Sequence, residues 1–215
     1  MPRLCGIFSM KGEDEMEKTE LASRLRGVRV GFAVCGSFCT FSQCFDALEE
    51  LLALGCDVIP IMSFNAYSTD TRFGNAETHR ERMKALCGRD IIHTIEDAEP
   101  IGPQNMTDIT VVANCTGNTL AKLAASITDT PVTMAVKSHL RGSKPVLLNV
   151  ATNDALAGSA KNIFSLMNYK NYYFVPIKQD DHVKKPFSLV GDFSKIPEAL
   201  VSALGKVQIQ PVIAR

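Results

Sequence analysis

The sequence predicts an α/β protein with a three-layer, Rossmann-like (flavodoxin-like) architecture: an open, mostly parallel six-stranded sheet with helices on both faces. Segments rich in β-branched and aromatic residues alternate with helical segments, and this alternation is typical of a mostly parallel sheet. Several of these strands also lead through a small polar turn directly into a helix, as βα units do. The predicted strands are 28–34, 56–62, 91–95, 109–113, 145–150 and 172–176.

The composition narrows the class of protein. The chain has 215 residues, of which 46% are hydrophobic, and a formal net charge of zero, which suits one domain with its own core. A nucleic-acid-binding protein would have a basic excess, and near-neutrality removes one barrier to self-association. No apolar run approaches the roughly 20 residues of a membrane span, and the first residues lack the apolar core of a signal peptide. We therefore predict a cytoplasmic protein.

The seven cysteines predict neither a disulfide framework nor a zinc site. Their number is odd and no C-x-x-C pair occurs, so most of them are expected to be small buried residues in a reducing compartment. Cys35 and Cys115 are kept as candidates because both fall in predicted ligand loops. The His, Cys, Asp and Glu residues show no metal-ligand spacing either.

Residues 1–26 are predicted to form an N-terminal extension to an α/β domain spanning 27–215. The extension mixes acidic and basic side chains and lacks a strong apolar period. We expect it to be partly disordered or helical, with a loosely packed helix over 13–25. Met10 and Met16 are alternative candidates for the translation start.

The turn after the first strand predicts an anion site. Gly36 lets the backbone turn sharply and approach a ligand, and Ser37 and Thr40 are both candidate N-caps for a helix that continues to about residue 53. The free N–H groups and the positive dipole end of that helix would point at one spot, which suits a phosphate. A βα turn without a ligand remains the alternative.

The second strand ends at Ser63 and is followed by a long polar loop before a helix over 76–86. A loop of this length without structure of its own is typically functional or disordered. Arg72 within it could bind a substrate carboxylate bidentately, or it could pair with the neighbouring Asp70.

Two further strands lead into polar turns and helices. The turn after 109–113 has Asn118 or Thr119 as the candidate N-cap, and the turn after 145–150 contains Asn153 and opens a helix that continues to about residue 167. Parallel strands end at the same edge of a sheet. We therefore expect the three polar turns to meet at that edge, where ligands bind in open α/β sheets.

The remaining segments have fewer signals. A helix is expected to start at Pro131, and His139 near its end is expected to be a capping or surface histidine rather than a base. The segment 179–186 is a charged loop. The final helix is expected over 194–204, with Gly205 as its C-cap.

The turns favour one cofactor over others. The first turn lacks the full G-x-G-x-x-G spacing of NAD sites, no P-loop is present, and no Ser-His-Asp constellation is evident among the four histidines. A flavin mononucleotide (FMN), with its phosphate at Gly36 and Ser37, is the remaining physical candidate.

The segment from Ala113 to Thr119, followed by Leu120-Ala121-Lys122, resembles a family motif. Residues 27–215 are similar to the flavoprotein family of homo-oligomeric flavin-containing cysteine decarboxylases, whose motif is P-A-S-A-N-T before L-A-K. The match is partial, since Asn114 and Cys115 replace Pro and Ala. Four further blocks narrow the resemblance to one branch of the family: 69–74, 99–103, 151–156 and 179–186.

That branch implies a two-subunit oxidoreductase of the mother-cell cytoplasm in sporulating bacteria. This chain would be the B subunit, and an A subunit that binds NAD(P) would be its partner. Together they would oxidise a dihydrodipicolinate-level intermediate to pyridine-2,6-dicarboxylate. The resemblance further implies a homo-oligomer, a trimer or a multiple of it, and flavin-site roles for Gly36, Ser37, Ser63, Thr116, Gly117, Asn118 and Thr119.

A dicarboxylate product suggests which side chains would bind it. Arg72 and Lys137 are the candidates for the carboxylates, with Asn118 and Asn153 orienting the ring. No catalytic residue is assigned. Two alternatives stay open: a flavin-dependent decarboxylase of a cysteine-containing substrate, and a non-catalytic subunit that binds flavin or product. The first is disfavoured because the histidine that the decarboxylases have is replaced near Pro100.

Overall fold

The computed structural model describes residues 11–214, with side-chain detail from residue 18 onward. The predicted mostly parallel sheet with helices on both faces is confirmed, and it has seven strands among the described residues. These are β1 (Arg29–Val34), β2 (Asp57–Met62), β3 (Ile109–Cys115), β4 (Val146–Thr152), β5 (Tyr172–Phe174), β6 (Ile177–Gln179) and β7 (Leu189–Gly191).

The parallel strands follow the order β2-β1-β3-β4-β5, which is the flavodoxin-like order. The strand order reverses between β1 and β3, so the carboxyl ends of these two strands flank the crevice where such sheets bind ligands. The first half of β4 pairs with β5, and its last residues, Ala151 and Thr152, pair antiparallel with β7. Strand β7 in turn pairs antiparallel with β6. A β6–β7 hairpin thus extends the sheet beside its carboxyl edge.

The predicted count of six strands is roughly consistent with the seven described, and the individual strands differ in two places. Segment 91–95 forms only one bridge, Ile61 to Ile92, before a short helix begins, because Thr94 caps that helix. Strands β6 and β7 were missed because each has only three residues, which is too short for an alternating pattern to be visible.

Nine α-helices lie within residues 11–214: α1 (Lys11–Leu25), α2 (Phe41–Ala53), α3 (Phe64–Ser68), α4 (Ala76–Cys87), α5 (Ile95–Ala98), α6 (Gly117–Ala124), α7 (Pro131–Leu140), α8 (Ala160–Met167) and α9 (Ile196–Leu204). Three short 3-10 helices are also present: Phe38–Thr40, Glu99–Ile101 and Phe193–Lys195. The short helix α3 falls in the loop that was expected to have no structure of its own. Its N-cap is Ser63, whose hydroxyl accepts a bond from the Ala66 N–H (3.3 Å).

The core has two halves, one on each face of the sheet. Because side chains alternate along a strand, Val30, Phe32 and Val34 of β1 point into one half and Ala33 into the other. Helices α2 and α9 cover the first half, and α6, α7 and α8 cover the second. This confirms the predicted three layers.

The N-terminal extension lies partly outside the described residues. Residues 1–10 are not among them, and Cys5 is therefore not placed. From Lys11 the chain is helical, and the end of α1 is not loosely packed, because Leu25 is fully buried in the core beside β1.

Several helix ends differ from the prediction. Thr116, rather than Asn118 or Thr119, caps α6, since its hydroxyl accepts the Thr119 N–H (3.3 Å). Helix α8 starts only at Ala160, because the chain after Thr152 first makes a series of turns. The start of α7 at Pro131 is confirmed, and so is Gly205 as the C-cap of the last helix.

His139 is neither a cap nor a surface residue. Its ring is buried, Nδ1 lies 2.8 Å from Thr107 Oγ1, and Nε2 lies 2.9 Å from the Pro145 carbonyl. Burial lowers the pKa of His139 to about 4. The residue therefore fastens α7 to the edge of the sheet that faces away from the turns after β1, β3 and β4.

In the part of the chain that the structure describes, none of the helices has the length and apolarity needed to span a lipid bilayer.

Candidate functional site

The polar turns that follow β1, β2, β3 and β4 lie together at the carboxyl edge of the sheet. The N–H of Ser63, after β2, donates to the carbonyl of Val34 at the end of β1 (3.0 Å). On the other side of β1, the Thr119 hydroxyl, in the first turn of the helix that follows β3, donates to the Cys35 sulfur (3.4 Å). The convergence of these turns follows from the parallel strand order.

Asn114 joins the turns after β1 and β3. Its buried side chain accepts the Cys35 N–H at Oδ1 (2.6 Å), and Nδ2 donates to the Cys35 and Ser37 carbonyls (3.0 and 3.2 Å). The backbone pairing of β1 and β3 ends at Ala33 and Val112, and β3 then shifts its register against β4. The Asn114 amide thus continues the hydrogen bonding beyond the end of the ladder and fixes the Gly36–Ser37 turn.

Gly117 allows the turn after β3 to meet the turn after β4. A Cβ at this position would lie 2.8 Å from Thr152 Oγ1 and 2.9 Å from Asp154 Oδ1. The Asp154 carboxylate accepts hydrogen bonds from the Thr152 and Ser159 hydroxyls (2.6 and 2.8 Å), and these bonds lower the pKa of Asp154. A larger residue than glycine would push these two turns apart.

The turns enclose one side of an open cavity of about 750 Å³. A volume of this size is within the usual range of cofactor and small-molecule sites. The turns contribute Gly36, Ser37, Thr116, Thr152 and Asn153, the loop between α3 and α4 contributes Arg72 and Phe73, and the β6–β7 hairpin contributes Asp180, Lys185 and Ser188.

The Gly36–Ser37 turn suits an anion. Neither Ser37 nor Thr40 caps the following helix with its side chain; the Thr40 hydroxyl instead donates to the Ser37 carbonyl (2.8 Å). The prediction that these residues cap the helix with their side chains was therefore wrong, and no side chain within residues 18–214 accepts a hydrogen bond from the first N–H groups. Together with the helix dipole and the Ser37 hydroxyl, they form a suitable environment for a phosphate.

Arg72 does not pair with Asp70, which was the alternative to a carboxylate-binding role. Asp70 instead accepts the Ala76 N–H at the start of α4 (2.8 Å). The Arg72 guanidinium lies over the Phe73 ring, 4.8 Å from its centroid, and has no carboxylate partner within residues 18–214. It is therefore available to an anionic ligand in the cavity.

Five of the sequence-predicted residues do not line this cavity; one of them is Gly117, which packs against the turn after β4. Ser63 caps α3, and the Thr119 hydroxyl is turned toward Cys35. Asn118 is exposed on the first turn of α6. Lys137 is exposed on α7, and α7 packs against α5, β2 and β3 away from the cavity. Within a single copy of the chain, Lys137 and Arg72 therefore do not line the same cavity.

The two candidate cysteines do not line the cavity either. Cys35 and Cys115 are buried; burial raises the pKa of Cys35 to about 11 and that of Cys115 well above its ordinary value. Such thiols are not nucleophiles near neutral pH. Cys39, for which no role was predicted, is exposed in the cavity instead.

The sequence reasoning missed Asn114 and the hairpin residues Asp180 and Lys185. The 179–186 block is part of the family resemblance, and its residue types alone indicate no more than a charged loop. Lys185 donates to Asp180 (2.5 Å), and this bond raises the pKa of Lys185. Residues so distant from the Gly36 turn in sequence can be assigned to its cavity only from the strand pairing of β4 with β7.

A histidine does lie near Pro100 in space. His93 and Pro100 both line a second cavity of about 560 Å³, in which the His93 ring stacks on Tyr67 with centroids 3.9 Å apart. The lining residues of this cavity are not those around Gly36. The absence of a histidine near Pro100 in sequence is therefore a weaker argument against a decarboxylase than expected.

Comparison with known proteins gives the family. The Flavoprotein family matches residues 18–185. The chain is 42% identical to the B subunit of dipicolinate synthase from Bacillus subtilis strain 168 over 191 residues, which are 89% of this chain and 96% of that protein.

Comparison with solved structures shows the same fold. The crystal structure of the dipicolinate synthase B subunit from Bacillus halodurans has a TM-score of 0.82 at 39% identity and covers 89% of this chain and 98% of its own. Burkholderia xenovorans DmrB, solved in complex with FMN, has a TM-score of 0.63 at 18% identity over 83% of this chain and 96% of its own, which supports the fold alone. The chain therefore belongs to the Flavoprotein family.

Proposed function

We propose that this chain is the B subunit of a dipicolinate synthase and that it binds FMN at the carboxyl edge of its sheet. The observation that supports this most is the cavity that is lined both by the Gly36–Ser37 turn, which suits a phosphate, and by Arg72, a cation without a carboxylate partner within residues 18–214. The identity to two dipicolinate synthase B subunits over most of both chains supports the same assignment.

The residues present fit FMN. The uncapped helix start with Gly36 and Ser37 would hold the phosphate, and Thr116 on the next turn would donate a further hydrogen bond. Ser63, Gly117, Asn118 and Thr119 would act around this cradle, with Ser63 and Thr119 holding the turns in place. When bound, FMN would supply a two-electron acceptor.

The reaction would aromatise a partly saturated ring. Converting a dihydrodipicolinate-level intermediate to the pyridine removes a hydride and a proton, and NAD(P) on an A subunit would be the further acceptor. In this chain, Arg72 would bind one carboxylate bidentately and Asn153 would orient the ring. Neither Lys137 nor Asn118 is retained in this role, because both lie outside the cavity.

We also propose a homo-oligomer, a trimer or a multiple of it, in the mother-cell cytoplasm. The exposed apolar side chains Leu156, Phe164 and Ile213 line a further cavity of about 550 Å³ and would favour contact with a second copy.

A flavin titration tests the cofactor. Purified chain mixed with FMN should quench flavin fluorescence, and Gly36→Leu should abolish the quenching because its side chain would fill the phosphate position. A Cβ at Gly36 meets nothing closer than 3.5 Å, so the fold should tolerate the change. Gly142→Leu, in the turn after α7, is the matched control and should bind FMN normally.

A two-subunit assay tests the reaction. Product absorbance of pyridine-2,6-dicarboxylate should rise only when the chain, an A subunit, NAD(P) and the dihydro substrate are combined. A chain that binds FMN but adds nothing to the A subunit's rate would be a non-catalytic binding subunit. Release of carbon dioxide from a cysteine-containing substrate would instead identify a decarboxylase.

A further inference from the structure

The β6–β7 hairpin places a second cation in the cavity that contains Arg72. Lys185 lines this cavity from the hairpin loop, whereas Arg72 lines it from the loop between α3 and α4. The sequence had assigned the second cation to Lys137, which is exposed on α7 and does not line the cavity. Lys185 and Arg72 are thus the two cationic side chains that line this cavity in the described part of the chain.

The loop that contains Lys185 is held in place by hydrogen bonds. The Ser188 hydroxyl donates to the Thr152 carbonyl (3.4 Å), and the Leu156 N–H donates to the Phe187 carbonyl (3.0 Å), which joins the loop to the turn after β4. Within the loop, the Lys185 N–H donates to the Asp181 carbonyl (2.7 Å). The backbone of Lys185 is therefore fixed relative to Asn153 and Thr152 in the cavity wall.

The two cations differ in their partners. Arg72 has no carboxylate partner within residues 18–214, while the Lys185 ammonium is bound to Asp180 at 2.5 Å and its side chain is half exposed. A lysine in a solvent-exposed pair can exchange its carboxylate for another at small cost. The Lys185 ammonium is thus held beside the cavity by Asp180 and can exchange Asp180 for another carboxylate.

We propose that Lys185 binds the second carboxylate of a dicarboxylate ligand whose first carboxylate is bound by Arg72. The ligand class deepens the proposed function and rests on it. On binding, the Lys185 ammonium would move from Asp180 to the ligand, and Asp180 would be the residue that positions it beforehand. A monocarboxylate would engage Arg72 and leave the Lys185–Asp180 pair intact, so Lys185 would determine the preference for a diacid.

Calorimetric titration of the full chain in the presence of FMN tests this assignment. The probes are pyridine-2,6-dicarboxylate and pyridine-2-carboxylate. Wild type should bind the diacid at least tenfold more tightly than the monoacid. Lys185→Met should weaken diacid binding about tenfold or more and change monoacid binding less than twofold, because a charged hydrogen bond is lost for the diacid only.

Two further variants, one at the neighbouring Lys184 and one at Lys185 itself, provide the controls. Lys184→Met changes a side chain of the same loop that does not line the cavity and should leave both affinities unchanged. Lys185→Arg keeps the charge and should restore most of the diacid preference. Thermal melting of each variant reports its folding, and Lys185→Gln replaces Lys185→Met if the methionine variant melts early.

The outcomes separate the two proposals. If wild type prefers the diacid and Lys185→Met keeps that preference, the role of Lys185 is overturned while the proposed function stands. In that case, loss of the preference in Lys137→Met would identify Lys137 as the residue that binds the second carboxylate. An equal loss of both ligands in Lys185→Met also overturns the role. If wild type binds no pyridine dicarboxylate, the proposed function is wrong and the assignment of Lys185 with it.

Discussion

Asn114 connects two backbone turns through one buried amide. Its side chain satisfies the Cys35 N–H and the Cys35 and Ser37 carbonyls at the switch between β1 and β3. Buried backbone groups that lose such a partner are costly, since each retains its desolvation penalty. A single residue at this place therefore affects both the stability of the fold and the shape of the phosphate turn.

Asn114→Ala should lower the free energy of unfolding by about 3 kcal/mol, because it leaves buried backbone groups without partners. Chemical denaturation measures the change. Asn153→Ala, an exposed residue on the neighbouring turn, is the control and should stay within about 0.5 kcal/mol of wild type. Equal stabilities of the two variants would mean that water replaces the Asn114 amide at no cost.

His139 makes stability depend on pH. Burial lowers its pKa from the ordinary 6.5 to about 4 in the folded chain, with Lys144 lowering it further and Asp108 opposing. The unfolded chain therefore binds more protons between these values, and the stabilising contribution is present above about pH 6.5 and lost as the pH falls toward 4. The shift corresponds to about 3 kcal/mol.

His139→Gln should remove most of this slope, since a glutamine amide can keep both hydrogen bonds without titrating. Denaturation at a series of pH values between 7 and 4 measures the difference between variant and wild type. Some slope should remain, because burial also lowers the pKa of His79. An unchanged slope in His139→Gln would mean that another group is responsible.

At the scale of elements, α6 and α7 offer a matched comparison of capping. Thr116 caps α6 and lines the cavity, whereas Thr130 caps α7 in a capping box and does not line it. Each threonine hydroxyl accepts an N–H hydrogen bond in the first turn of its helix, and the two helices have similar lengths. Only the first of them stands beside the proposed cofactor.

Thr116→Ala and Thr130→Ala should each lower the free energy of unfolding by about 1 kcal/mol, the usual value of a lost N-cap. Only Thr116→Ala should also weaken FMN binding, measured by flavin fluorescence. If both variants weaken FMN equally, the effect comes from stability and Thr116 has no contact with the cofactor.

The β6–β7 hairpin is the element that changes the site most. Gly191 on β7 passes so close to β4 that a Cβ would overlap Asn149, so glycine is required there for the two strands to pair. This pairing brings the 180–188 loop to the carboxyl edge of the sheet. Without the hairpin, the cavity would be bounded by the parallel strands and their helices alone.

At the scale of the molecule, the two edges of the sheet have different roles. The amino edge is fastened by charged and buried polar contacts, such as the Arg29–Asp108 ion pair (2.5 Å) and the His139 hydrogen bonds. The carboxyl edge has the polar turns, the open cavity and Arg72. Substitutions at the first edge should act on stability, and those at the second on ligand binding.

The proposed homo-oligomer predicts the mass of the assembly. Light scattering coupled to size-exclusion chromatography should give three times the 23.5 kDa of the chain, or a multiple of three. Phe164→Glu should lower that mass, because this side chain is 51% exposed beside other apolar residues. A monomeric wild type at micromolar concentration would contradict the proposal.

The sequence alone determined the alternation of strands and helices, the polar turns after β1, β3 and β4, and the resemblance to a flavoprotein family. These features depend on local patterns, since burial periodicity and turn chemistry act over a few residues. Only the tertiary structure decided that Lys185 rather than Lys137 shares a cavity with Arg72, and that Asn114 holds the Gly36 turn. Both depend on the pairing and packing of segments far apart in the chain, for which one sequence contains no local signal.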